Sequence, residues 1–296
     1  MILIDKLFDA VAAKGNVCIG LDTAFEYIPR EDAKNYSDSA AAVLAYNRAI
    51  IDAASGYAAC FKVQIAYYEE LGLAGLKAYS ETLQYLRKKG HISIADIKRG
   101  DIADTASRYA KAHFYGDFEA DFVTLNPYMG MDTLTPWISL AEKCGKGAFV
   151  LLRTSNPGRA DFECQKLKSG NMLYETLGEN LSVIAGEKKG MCGFGIFGAV
   201  TGCTETAEAQ AMREKFSNLF FLIPGYGAQG GAADDAALLL KDGNGGIVNA
   251  SRSILKAWEK SGTKISCIKD AAQEAANAAQ KMRDDIRAAV QKAAKK

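Results

Sequence analysis

Asp96 and Lys98 stand one residue apart at the end of an apolar run, Ile92–Ile97. Side chains alternate with a period of two in an extended strand, so the pair shares one face. Asp22 and Lys62 sit at the ends of two other apolar runs. Brought together, the four alternate in sign, and each neighbour of opposite charge favours the ionised form. A lysine kept charged in this way is a poor Schiff-base nucleophile. It is a good electrostatic partner and proton donor for a carbanion. For Asp96 and Lys98 alone, a charge-rich surface turn is the plainer alternative; Asp22 and Lys62 at matching strand ends weigh against it.

A second group suggests anion binding. Gly225-Tyr-Gly-Ala-Gln229-Gly230 matches GxGxxG and follows Pro224, while Ser251-Arg252 follows another apolar run. Backbone N–H groups of such a turn, with Arg252 as a bidentate clamp, suit a phosphate. The fingerprint is weak by itself, since this glycine content gives on the order of 0.25 matches per chain by chance. Gly193-Phe-Gly-Ile-Phe-Gly198 matches too, within an expected strand where no phosphate has access. His91 and His113 are the only histidines, and His91 reads as structural. Catalysis that needs a histidine beside a nucleophile is therefore disfavoured, and the chemistry rests on Lys, Asp and Arg.

The elements that position these residues form a repeating series. Strand-like runs fall at Val17–Leu21, Ala59–Val63, Ile92–Ile97, Phe122–Leu125, Ala148–Leu152, Gly195–Val200, Leu219–Ile223 and Gly246–Val248. Helical patterns lie between them, at Ser39–Ala54, Leu73–Lys89, Leu173–Ala185 and Asp234–Lys241. Apolar strands alternating with helices indicate a parallel sheet covered on both faces, and eight such units match a (β/α)8 barrel of the α/β class. An open doubly wound sheet is the alternative. The expected organisation is a barrel over residues 1–262 and a C-terminal helical extension over residues 263–296, packed on the barrel. In a barrel the strand C-termini make the site. Those ends carry Asp22, Lys62 and Gln64, then Asp96 to Asp101, then Asn126, Arg153 to Asn156, Thr201, Pro224 to Gly230, and Asn249 to Arg252.

Composition narrows the function classes. The 296 residues hold 36 Lys or Arg against 35 Asp or Glu, a net charge of +1, which argues against a nucleic-acid binder. A hydrophobic share of 49% argues against disorder. There is no run of 18 apolar residues to cross a membrane, and the opening Met1–Lys6 lacks the features of a signal peptide. Seven cysteines without CxxC spacing read as reduced. Cys18, Cys60 and Cys192 sit in or beside apolar runs, as small buried hydrophobes do. The expectation is a cytoplasmic protein without disulfides or structural zinc.

Together these residues resemble the orotidine 5′-phosphate decarboxylase family, in its longer bacterial-type branch. The resemblance runs from about Val17 to Ile254. Its most specific part is Asp96-Ile-Lys98-Arg-Gly-Asp101-Ile-Ala-Asp-Thr105, which looks like the family's DxKxxD motif with its following Thr. Gly20-Leu-Asp22, Phe61-Lys62-Val63, Thr154-Ser155-Asn156-Pro157-Gly158, Pro224 to Gly230 and Ser251-Arg252-Ser253 follow the family's order. The resemblance implies a barrel that works as a homodimer, without metal or organic cofactor, and converts orotidine 5′-monophosphate to UMP and CO2. It implies that Lys62, Asp96 and Lys98 form a charged array completed by Asp101 of the partner subunit, with Thr105 beside it. Lys98 stabilises and then protonates a C6 carbanion, with Asp96 near the departing carboxylate. Asp22 and Thr105 hold the ribose hydroxyls and Ser155 contacts the pyrimidine. Pro224, Gly225, Gln229, Gly230, Ser251 and Arg252 surround the phosphate.

The chain departs from the compact members in its length after Gly158 and in its tail. It also has Ala103 and Asp104 where they often have Pro and Glu. Two other readings are a magnesium-dependent sugar-phosphate decarboxylase or synthase on the same barrel, and a non-catalytic nucleotide-binding barrel. Lys62, Ser155 and the Gln229 loop weigh against the first, the intact array against the second. A nicotinamide oxidoreductase, suggested only by GxGxxG, is a weaker third.

Overall fold

Short β-branched and aromatic runs form eight strands: β1 Val17–Gly20, β2 Cys60–Gln64, β3 Ile92–Arg99, β4 Phe122–Leu125, β5 Gly147–Arg153, β6 Phe197–Thr201, β7 Phe221–Ile223 and β8 Gly246–Ala250. The structure is a computed structural model that describes residues 1–202, 206–227, 233–262 and 264–295. Each strand pairs in parallel with the next, and β8 closes on β1 with Val17 opposite Val248. Closure leaves no edge strand, and helices cover the outer face. The fold is therefore the expected (β/α)8 barrel, not an open sheet.

The two ends of the barrel differ in chemistry. At the N-terminal end, Phe122 and Phe149 pack with ring centroids 5.1 Å apart, and Phe194 and Phe220 at 5.5 Å. This aromatic plug closes the bottom, each such pair adding about 0.5–1.5 kcal/mol beyond its buried area. The charged strand ends are gathered at the opposite, C-terminal end.

Several elements differ from expectation in instructive ways. An initial helix, Leu3–Lys14, buries Leu3, Ile4, Leu7 and Val11, a helical stripe that sequence reading passed over. β6 begins at Phe197, so Gly193 to Ile196 is a turn and not strand; Gly193 has φ +84°. The helix expected over Asp234–Lys241 spans Ala233–Leu238, and Asp242, with φ +52°, follows its end. Cys18 and Cys60 are buried in register on β1 and β2, but Cys192 is only half-buried. It lies in the turn before β6, where its backbone N–H donates to Asp5.

The C-terminal helix, Ile268–Ala293, lies against the helix Ser39–Ala54 and shares the single hydrophobic core with the barrel. Ala271, Ala275, Ala279, Met282 and Ile286 make its buried stripe. Its first turn is held by the Asp32 carboxylate, which accepts from the Ile268 N–H at 2.6 Å.

Candidate active site

Three strands deliver the alternating charges. Lys62 is in the middle of β2 and Asp96 in β3, with Gln64 and Asp96 in register, while Asp22 follows β1. Lys62 Nζ donates to Asp22 Oδ1 at 3.0 Å and to Asp96 Oδ2 at 2.8 Å. Lys98 Nζ donates to the other Asp96 oxygen at 2.6 Å. The order is Asp22, Lys62, Asp96, Lys98. Lys62 has a side-chain exposure of 7% and Asp96 of 6%, against 45% for Lys98. Both lysines line the cleft, and Lys98 is the more exposed of the two.

Electrostatics favour charge on the two buried members of the array, Lys62 and Asp96. Burial opposes charge on Lys62, but Asp96 and Asp22 overcome it and hold its pKa above the ordinary lysine range. Burial likewise opposes charge on Asp96, and Lys62 and Lys98 hold its carboxyl well below the usual carboxylate value. Gln64 adds a hydrogen bond to Asp96 Oδ2 at 2.9 Å and Thr124 one to Oδ1 at 2.7 Å. Four donors therefore meet one buried carboxylate, which offsets its desolvation.

Thr124 was not recognised from sequence. Besides donating to Asp96, its hydroxyl accepts from the backbone N–H groups of Ile97 and Lys98, each at 3.0 Å. Lys98 has φ +44°, in the left-handed region, which costs a non-glycine residue about 1–2 kcal/mol. The β3–β4 register shifts between Ala95 and Arg99 at the same place. Simple strand alternation thus does not explain why Asp96 and Lys98 meet; a kink pinned by Thr124 does. The available signal was one hydroxyl inside the apolar run Phe122–Leu125. Ala103 at the far end of this loop has φ +45°, which proline cannot adopt, so proline would not be accommodated in this loop conformation.

The opposite wall comes from β1 and β8. Ser251 donates to Asp22 Oδ2 at 2.9 Å, and Asn249 donates to Ser251 at 3.3 Å. A Cβ on Gly20 would lie 2.0 Å from Ser251 Oγ, so this approach of β1 to the β8 loop requires glycine. Ser251, expected near a phosphate, spends its hydroxyl on Asp22. Pro224, Gly225 and Arg252 do line the cleft, of about 360 Å3, together with the array. Tyr27, Tyr67 and Tyr226 also line it, and sequence reading gave them no role. Gln229 and Gly230 lie outside the described residues.

Not every expected residue reaches this cleft. Asp101 caps its own loop, accepting from the Ile102 N–H at 2.8 Å, and Thr105 is exposed on the helix Ala103–Phe114. Neither lines the cleft of its own chain. Ser155 lies against Gly202 in the loops after β5 and β6 and is also outside the cleft lining. Arg153, at the end of β5, is buried and pairs through two nitrogens with Glu208, while Nη1 donates to the Gly202 carbonyl at 2.6 Å. It braces the site without facing it.

Known proteins similar to this chain are numerous. The family profile described as orotidine 5′-phosphate decarboxylase / HUMPS family matches residues 15–263. A Clostridium perfringens protein named orotidine 5′-phosphate decarboxylase is 52% identical over 288 residues, covering 97% of this chain and 99% of its own. One of the same name from Clostridium novyi is 52% identical over 260 residues, covering 88% and 91%. Among solved structures, the OMP decarboxylase of Leishmania donovani superposes with a TM-score of 0.77 at 29% identity, covering 98% and 99%.

Proposed function

The chain belongs to the orotidine 5′-phosphate decarboxylase / HUMPS family, and from that premise we propose that it converts orotidine 5′-monophosphate to UMP and CO2 in pyrimidine synthesis. It is a carboxy-lyase. The observation that carries the reading is the position of Lys98, 2.6 Å from Asp96, whose other oxygen is held by Lys62 at 2.8 Å. Such an array is preorganised before substrate arrives, so it costs little reorganisation when charge develops.

In the proposed step the bond between C6 and the carboxylate breaks, CO2 leaves and the electron pair remains on C6. The Lys98 ammonium faces that pair, stabilises it and then donates its proton to C6. Asp96 lies beside the departing carboxylate and holds the Lys98 ammonium in place. Asp22 takes a ribose hydroxyl, and Ser155 the pyrimidine. Gly225, Arg252 and the turn that includes Gln229 and Gly230 take the phosphate, with Pro224 and Ser251 at its edge. The phosphate is remote from C6, so its binding energy can serve the transition state.

The proposal extends to a cytoplasmic homodimer in which Asp101 and Thr105 enter the site of the other subunit. Their position outside their own cleft supports this. No helix among the described residues is long and apolar enough to cross a membrane.

The test is the absorbance change on adding orotidine 5′-monophosphate to purified protein in excess EDTA. Rapid conversion to UMP is expected. Absent conversion by folded protein, with turnover of a sugar phosphate on adding magnesium, would replace the reading with the sister chemistry.

A further inference from the structure

A long segment follows Gly158 between β5 and the helix Leu173–Glu187, and one of its residues reaches back to the residue after β5. Glu163 Oε2 accepts from the Thr154 backbone N–H at 2.7 Å, and Oε1 from the Thr154 hydroxyl at 2.7 Å. The Thr154 hydroxyl also lies 2.6 Å from Asn156 Oδ1. Glu163 is itself held in place, because its carbonyl accepts from the Tyr174 N–H at 3.0 Å, at the start of the helix Leu173–Glu187. Glu163 therefore joins the end of β5, through its carboxylate, to the start of the helix Leu173–Glu187, through its backbone carbonyl.

The residue between Thr154 and Asn156 is Ser155. On its other side Ser155 packs against Gly202, where an added Cβ would come within 2.8 Å of Ser155 Cβ and 3.0 Å of its N, so only glycine leaves Ser155 its place. Ser155 is caught between the Gly202 backbone and a neighbour clamped by Glu163. We propose that Glu163 is a positioning residue, through which this segment sets Ser155 for the pyrimidine of the substrate. This rests on the assignment of Ser155 to the base.

Glutamine can keep both contacts, since its Oε1 accepts from the Thr154 N–H. Its amide then donates to the Thr154 hydroxyl, which turns its own proton to Asn156. Alanine keeps neither and leaves a half-buried N–H without a partner. The expected pattern is that Glu163→Ala lowers kcat/KM at least about tenfold, as a small misplacement at a reacting site does. Glu163→Gln should stay within about threefold of the parent. In a Ser155→Ala background, adding Glu163→Ala should cost nothing more, because a residue acting only through Ser155 has nothing left to position.

Equilibrium binding supplies the second readout. Glu163→Ala should weaken UMP, which has a base, and leave ribose 5-phosphate, which has none, unchanged. Equal weakening of both ligands, an undiminished loss in the Ser155→Ala background, or a glutamine variant no better than alanine would each overturn the proposal. If the parent protein turns over no orotidine 5′-monophosphate, the decarboxylase reading fails, while the two affinities still decide the role of Glu163.

Discussion

At the scale of residues, the molecule treats charge in two opposite ways. In the array, each buried ion has a partner of opposite sign within 3.0 Å. His113 has none: it is buried, stacked on Phe118 with centroids 5.9 Å apart, and its Nδ1 finds no partner among the described residues. Burial, with a lesser push from the Arg99 charge, lowers its pKa from 6.5 to about 4. The folded protein thus keeps His113 neutral where the unfolded chain already binds a proton. Stability should fall as pH drops from 6.5 towards 4, by about 3 kcal/mol from this group at 1.36 kcal/mol per unit. An imidazole NMR titration should find the His113 midpoint near 4; a midpoint near 6.5 would refute its neutral burial. The charged residues of the array were legible in the sequence because they stand out at the ends of apolar runs. Thr124 was not, because a single threonine in a strand is ordinary and its three hydrogen bonds depend on a kink that no spacing announces.

At the scale of elements, the strand ends matter more than the strands. All eight strands were legible from β-branched runs, to within two residues at most ends, because a barrel interior tolerates little else. The loops were less legible. The Lys98 kink and the turn before β6 are set by contacts between distant parts of the chain, and the clamp on Thr154 by a side chain within the same connection. Arg153 shows how such a contact supports an element. Its place among the polar strand ends suggests a side chain facing the site, yet it is turned into the wall between β5, β6 and the helix Thr206–Lys215, against Glu208. Removing one partner of a buried pair leaves the other uncompensated. Glu208→Ala should therefore lower the unfolding free energy by about 3 kcal/mol, seen as a lower denaturant midpoint with an unchanged slope. A shift of less than about 0.5 kcal/mol, the range of an ordinary surface substitution, would mean the pair does not brace the wall.

At the scale of the whole molecule, one barrel end is a closed aromatic plug and the other an open charged cleft. That cleft contains Lys98 but not the Asp101 and Thr105 of its own chain. If each site draws on two subunits, inactive variants should complement one another. Mixing Lys98→Ala with Asp101→Ala under subunit exchange should recover about one-quarter of the parent activity, since half the dimers are mixed and each holds one intact site. No recovery after exchange is confirmed would confine each site to a single chain. Sequence alone could suggest the shared site only through resemblance, because spacing within one chain does not show which copy a loop enters.

The most direct measurement is the turnover of Lys98→Ala in excess EDTA, with its affinity for UMP measured on the same preparation. The variant should bind UMP within about tenfold of the parent and lose turnover by about 10⁴-fold or more, the loss expected when a transition-state contact and its proton are both removed. Turnover within about tenfold of the parent, at equal UMP affinity, would show that Lys98 is neither the stabilising cation nor the proton donor.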